Sequence, residues 1–214
     1  LLESASPLGS GGKDIALNDV LELGERQLLN SSDNQPDLKA TLIQTLASIQ
    51  YNLGHYEKAM SYWQLSVDLA REYDFKAIEL SGLGQIAIVK MWLAKADEVD
   101  ALYDEADKVF LQVNDIKAKA WHLARKATWL QESGKQEESE AVSQQGLKLL
   151  AEHNIKDTSI EGAQLYGRFY NELATAYRHR DNNKALTYIN QALDYALLAF
   201  GQNHPKYQTR LISK

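Results

Sequence analysis

Small and apolar positions return along this chain with a period of forty residues: Ile43, Leu46 and Ala47, then Leu83, Ile86 and Ala87, then Leu123, Lys126 and Ala127. Seven positions after each alanine stand Gly54, Ala94 and Gly134. Within each copy the apolar residues recur at three- and four-residue intervals, the period of one helix face, and the glycine marks a tight reversal where positive φ is tolerated. The spacing predicts a helix A, a turn and a helix B in every repeat. Such hairpins stack because one alone cannot bury its own apolar face.

Walking along the chain refines this. Residues 1–13 hold Ser, Pro and Gly and read as a flexible lead-in, with Asp14 or Asn18 able to cap a leading helix over 14–30 built on Leu17, Val20, Leu21, Leu28 and Leu29. Hairpins are then expected at about 37–73, 76–113, 116–152 and 160–200, the first opened by Pro36, whose fixed φ suits a first helical turn. Ala47 and Ala59 let the backbones of the first hairpin approach while Tyr56 and Trp63 fill the space beside them. The second uses Val99, Tyr103 and Ala106 on its B helix. In the third, Ser139, Ser143 and Gly146 replace larger groups, so a weaker hairpin is expected there. Leu173, Ala174 and Tyr177, with Ala185, Ile189 and Ala192, form the fourth after a longer connector, and 204–214 reads as the start of a further helix, truncated or capping. The expected fold is all-α, a right-handed α-solenoid of about four hairpins.

Composition narrows the function. A formal charge of -6 over 214 residues opposes a nucleic-acid partner, which requires Lys and Arg to neutralise phosphates, and favours a protein or peptide. No cysteine is present, which excludes thiolate metal sites. No apolar run reaches the roughly 20 residues of a membrane span, so a soluble segment without its own membrane contact is expected. The five histidines show neither an HExxH nor an i, i+4 pair, and no nucleophile elbow occurs, so neither a metal, a cofactor nor catalytic residues are expected.

The stretch LASIQYNLGHYEKAMSYW resembles the tetratricopeptide repeat, with its small residue on helix A, its LG-x-Y-x-x-A turn and its aromatic and small residues on helix B. The match is specific in the first repeat and partial elsewhere, and the forty-residue period implies longer helices than the standard repeat. Gly201, His204 and Pro205 are similar to the link between repeats in kinesin-light-chain-like arrays. Residues 1–75, running from LLESASP through GKDIALNDVLELGERQLL to QPDLKATLIQTLASIQYNLGHYEKA, look like the segment after the transmembrane helix of bacterial serine/threonine protein kinases with C-terminal tetratricopeptide repeats. Membrane-anchored winged-helix regulators are arranged similarly. The resemblance implies a non-catalytic interaction or sensory module, extracytoplasmic in a single-pass protein or alternatively cytoplasmic. The kinase's own motifs are absent from the chain.

In such arrays the A helices line the concave side. The positions alternating with the packing stripe are Gln44, Ser48 and Asn52, then Gln85, Ile88 and Trp92, then Trp121, Arg125 and Thr128, then Asn171 and Thr175. Trp92 and Trp121 are candidate groove aromatics, the alternative being that they pack between helices. Arg125 can hold a carboxylate by paired hydrogen bonds or pair with a neighbouring Glu. The family's carboxylate clamp needs Lys and Asn where this chain has Gln44 and Ser48, which points to a neutral or mixed peptide groove. Asp97, Asp100, Asp104 and Asp107 share one helix face, as a docking stripe or a solvated outer surface. Arg178, His179 and Arg180 are expected to cap a helix C-terminus. Two readings compete with peptide capture: self-association into a homodimer, and an enclosed small-molecule or pheromone pocket near the two tryptophans.

Overall fold

A computed structural model describes residues 17–30, 34–93, 96–205 and 207–208. The readings placed on 1–13, Asp14, Ala94 and 209–214 lie outside the described residues. The chain is all-α, with neighbouring helices packed in series as a helical-repeat solenoid: α1 Leu17–Leu29, α2 Pro36–Asn52, α3 Tyr56–Glu72, α4 Lys76–Trp92, α5 Ala96–Phe110, α6 Ile116–Glu132, α7 Gln136–Glu152, α8 Ile160–Tyr177 and α9 Asn182–Phe200. Helices α2 to α7 begin at 36, 56, 76, 96, 116 and 136, so the forty-residue sequence period is two helices of near-equal length.

The turns explain that regularity. His55 N–H donates to Gln50 O and Gly54 N–H to Tyr51 O, and the same pair of bonds closes α3 at Asp74 and Phe75, α6 at Gly134 and Lys135, and α7 at Asn154 and Ile155. Each closure puts one residue in the left-handed region: Gly54 at φ 82°, Asp74 at 60°, Gly134 at 75° and Asn154 at 51°. This is the Schellman arrangement, which satisfies carbonyls left over at a helix end and turns the chain in three residues. Gly is used inside the first and third hairpins, and Asp or Asn, which tolerate positive φ better than other L-residues, between hairpins. Start signals differ: Pro36 opens α2, whereas Asp115, Ser159 and Asp181 accept hydrogen bonds from the first-turn N–H groups of α6, α8 and α9.

The chain divides into two compact units at Gly82. In the first, α2 packs on α3 around Ile43, Ala47, Ala59, Trp63 and Val67, all essentially inaccessible. Tyr56 is 46% exposed, so it does not fill that interior; it lies against Tyr51 instead, centroids 5.5 Å apart. Gly82 allows α4 close to α3: a Cβ there would stand 2.5 Å from Val67 Cγ2. Helix α1 is held by Glu25, a buried carboxylate accepting hydrogen bonds from Gln50 Nε2 (2.5 Å), Lys58 Nζ (2.6 Å) and Tyr62 Oη (3.0 Å).

Burial by itself would raise the Glu25 pKa, but the bonds from Lys58, Tyr62 and Gln50 outweigh it and hold the carboxyl below the ordinary Glu value. A lowered folded-state pKa gives stability that is present above the unfolded pKa and lost as pH falls through the folded one. Glu25→Gln is therefore expected to cost about 2 kcal/mol at pH 7. The gap between variant and parent should close as pH drops below about 4. Urea titrations of both proteins at several pH values check this, and a gap that stays constant with pH would refute it.

In the second unit, Ala87, Val99, Tyr103 and Trp129 join α4, α5 and α6 in one cluster, and Ala120, Leu123, Ala124, Leu150, Leu165 and Phe169 join α6, α7 and α8 in another. The expectation that the third hairpin packs weakly is corrected here. Ser139 and Ser143 are fully buried, Ser139 Oγ donating to Ala127 O (2.9 Å), and bare Gly146 makes room for the Phe169 ring from α8. The small residues are a socket. Along the α8/α9 hairpin Tyr166, Tyr195, Tyr170, Tyr188 and Tyr177 interleave, with successive centroids 5.4, 5.7, 6.1 and 5.6 Å apart.

Candidate functional site

The positions nominated on α2 serve local structure. Gln44 Nε2 donates to Ile78 O (2.8 Å), tying α2 to the start of α4, and Ser48 Oγ donates back to Gln44 O (2.9 Å). Asn52 stands exposed at the end of the helix. Gln44 and Ser48 are each partly exposed and each engages one side-chain donor within the first unit.

The second unit is different. Gln85, Ile88, Asn171 and Thr175 are partly exposed, and Thr175 Oγ1 donates to Asn171 O (3.0 Å). Trp92, at the end of α4, is 63% exposed, which sets aside its packing between helices. Trp121 is partly buried against the α6/α7/α8 cluster and carries Arg125 over its ring, guanidinium carbon 5.6 Å from the centroid. One helical turn separates these two residues on α6, the spacing at which side chains meet.

Arg125 reaches its place because Gly84 of α4 lacks a side chain: a Cβ there would stand 3.1 Å from Arg125 Cδ. Among the described residues Arg125 makes no ion pair and no hydrogen bond, so the expected pairing with a neighbouring Glu is not formed. One turn further on α6, Thr128 Oγ1 donates to Glu172 Oε1 (3.0 Å) and accepts from Arg168 Nη2 (3.1 Å), both on α8. Among the described residues, Arg168 Nε and the Tyr103 hydroxyl are buried without hydrogen-bond partners.

These groups act on each other electrostatically. Burial, and then the charge of Arg168, pushes the Arg125 pKa down to about 10. Burial pushes the Tyr103 phenol upward, against the opposing pull of Arg125 and Arg168. Arg168 is bonded to Thr128, one turn along α6 from Arg125, and the Tyr103 ring of α5 lies 6.0 Å from that of His122 on the same α6. Arg168, Tyr103 and Glu172 were absent from the groove positions read from sequence. The α8 stripe of Asn171 and Thr175 continues back by three residues to Arg168, so extending the helical period would have found it.

The acidic stripe on α5 splits. Asp97, Asp100 and Asp104 are exposed and Asp107 partly so; Asp100 also accepts from Trp129 Nε1 (2.8 Å), and Asp107 binds His122 Nε2 (2.7 Å) and Lys126. Burial opposes the charge on Asp107, yet bonds from His122 and Lys126 keep its carboxyl below the ordinary range. The stripe faces solvent, and two of its four carboxylates also bond α5 to α6. Among the described residues no three His, Asp or Glu converge as metal ligands. In the basic cluster, Arg180 Nε donates to Ala176 O (3.0 Å) at the end of α8, and its Nη2 donates to Glu140 Oε2 (2.6 Å).

No family model matches the chain, and no curated protein sequence matches it. Among solved structures it is similar to BtubC (BKLC) from P. vanneervenii, with a TM-score of 0.64, 16% identity, and coverage of 88% of this chain and 74% of that one. At that identity the likeness concerns the fold alone.

Proposed function

We propose that this chain is a non-catalytic, tetratricopeptide-like interaction module that captures a peptide along the second unit's A helices: α4 from Leu83, α6 and α8. The observation that carries this reading is Trp92, an indole left 63% exposed on an A helix. Exposed tryptophan is costly to leave in water and is enriched at binding hot spots. The partly exposed polar positions Gln85, Asn171 and Thr175 supply adaptable hydrogen bonding on the same class of helix. The charge complement of the ligand is set by the unpaired Arg125.

We further propose, on the resemblance of residues 1–75, that the module belongs to a bacterial signalling protein such as a serine/threonine kinase. Self-association is the second reading, favoured by Leu186, Leu197 and Leu198 of α9, which are 47%, 45% and 50% exposed. A second copy is the occupant that reading requires.

Arrays of 12-residue peptides probed with the parent chain and with Trp92→Ala test the first reading. Binding of a peptide subset that falls at least about tenfold in the folded variant supports it. Binding unchanged by the substitution overturns the groove. Concentration-dependent dimers that vanish in Leu197→Ser/Leu198→Ser, with no peptide bound, establish assembly in its place.

A further inference from the structure

We propose that the cavity where the end of α1 meets the α2/α3 hairpin binds one large apolar side chain of a docked peptide, with a neighbouring lysine or arginine of that peptide held by Glu72 and Asp68. The site lies in the first unit and does not depend on the peptide-capture reading given to the A helices of the second.

The cavity has a volume of about 240 Å³. Ile43 of α2, 1% exposed, lies at its base, and Leu29 of α1 borders it together with Leu65 and Leu69 of α3. Leu65 is 42% exposed, so the space is reached from solvent. An apolar lining that faces a gap forgoes dispersion contacts, and an apolar group placed there restores them and leaves water itself. The volume falls below the roughly 300–1,000 Å³ of small-molecule and cofactor sites, which suits one side chain rather than a whole cofactor.

Charge at the opening decides what accompanies that side chain. Asp68 and Glu72 stand one turn apart on α3 and both border the cavity. Glu72 ends the helix, where the negative end of the helix dipole disfavours a carboxylate, and among the described residues it makes no hydrogen bond and no ion pair. The Asp68 side chain is 59% exposed; it accepts from Gln64 Nε2 (2.8 Å) and lies 3.9 Å from Arg71, whose Nε donates to Glu79 (2.9 Å). Lys39 also borders the cavity but is already engaged. The opening therefore keeps an unpaired carboxylate beside apolar walls.

An apolar group with an adjacent cation answers both features. A lysine or arginine also lays its methylene stem along apolar surface while its charge stays in water, as Leu65 beside Glu72 allows. An apolar anion such as a fatty acid meets two carboxylates here and is repelled from a distance by the chain's net charge of -6. The occupant is therefore a basic, apolar peptide segment.

The test uses the 214-residue chain, following the side-chain methyl resonances of Leu29, Ile43, Leu65 and Leu69 by nuclear magnetic resonance. The probes, at matched ionic strength, are N-acetyl-leucyl-lysine amide, the same dipeptide with glutamine or glutamate in place of lysine, and N-acetyl-alanyl-lysine amide. Saturable shifts of these methyls are expected with leucyl-lysine, about threefold weaker binding with leucyl-glutamine, weaker still with leucyl-glutamate, and none with alanyl-lysine. Glu72→Gln should reduce the leucyl-lysine affinity about threefold and leave that of leucyl-glutamine unchanged, and Leu65→Ser should weaken both about fivefold. If Leu65→Ser fails to fold, Glu72→Gln, which removes an exposed and unpaired charge, decides the matter. Unsaturable shifts, leucyl-glutamate bound as tightly as leucyl-lysine, alanyl-lysine bound as tightly as leucyl-lysine, or an affinity indifferent to Glu72→Gln overturns the proposal. Leucyl-lysine binding that survives Trp92→Ala while no peptide on the arrays depends on Trp92 keeps this cavity and removes the groove of the second unit; Trp92-dependent peptides without methyl shifts here do the reverse.

Discussion

Trp63→Ala is expected to cost about 4 kcal/mol, the typical loss for truncating a large buried aromatic. Trp63 is 2% exposed at the centre of the first unit, with Tyr51 at 5.9 Å and the inaccessible Ala47, Ala59 and Val67 completing that interior. Nothing in the α2/α3 hairpin can refill that volume, because the residues facing it are small and sit on regular helices. Trp63→Phe should cost far less, about 1 kcal/mol, since the indole Nε1–H is buried without an acceptor and its removal offsets part of the lost contact. Urea denaturation gives both values, and amide exchange should show protection lost first in α2 and α3. A Trp63→Ala cost under about 1 kcal/mol would mean that the hairpin interior is not closed as described.

Gly146→Ala is expected to destabilise the chain by about 2 kcal/mol, although alanine is the better helix former. A Cβ at position 146 would overlap three ring atoms of Phe169, a residue with no exposure and no free space to move into. The overpacking cost is about 3 kcal/mol, and the helix preference for alanine returns about 1. The companion experiment is Phe169→Leu, which shortens the intruding side chain. In that background Gly146→Ala should become neutral or stabilising, because the clash is gone and only the helix preference remains. A double-mutant cycle measures this coupling directly. Equal effects of Gly146→Ala in both backgrounds would show that Phe169 does not occupy the socket.

The same pair shows where sequence reasoning reached its limit. Ser139, Ser143 and Gly146 looked like a weakened copy of the repeat, because a repeat pattern scores each helix against its own predecessor. The large residue that completes this interior comes from α8, beyond the lengthened connector and off the forty-residue register. Small residues signal either a defect or a socket, and only the neighbour's identity distinguishes them. Asp100 and Asp107 add a second case: the evenly spaced acids of α5 do face solvent, but that Trp129, His122 and Lys126 of α6 also bond two of the four is a tertiary fact.

What the chain's sequence determined by itself was the series of helices, their stripes of buried residues and the turns at Gly54 and Gly134, because helix period, small-residue placement and positive φ are local properties that each residue expresses within a few neighbours. The tertiary structure decided which polar groups are spent and which are left over. Gln44 is consumed by Ile78 O, Glu25 by three donors, and Arg180 by Glu140, while among the described residues Arg168 Nε and the Tyr103 hydroxyl stay buried without a partner. These hydrogen bonds join groups tens of residues apart, so their presence or absence is a property of the assembled helices.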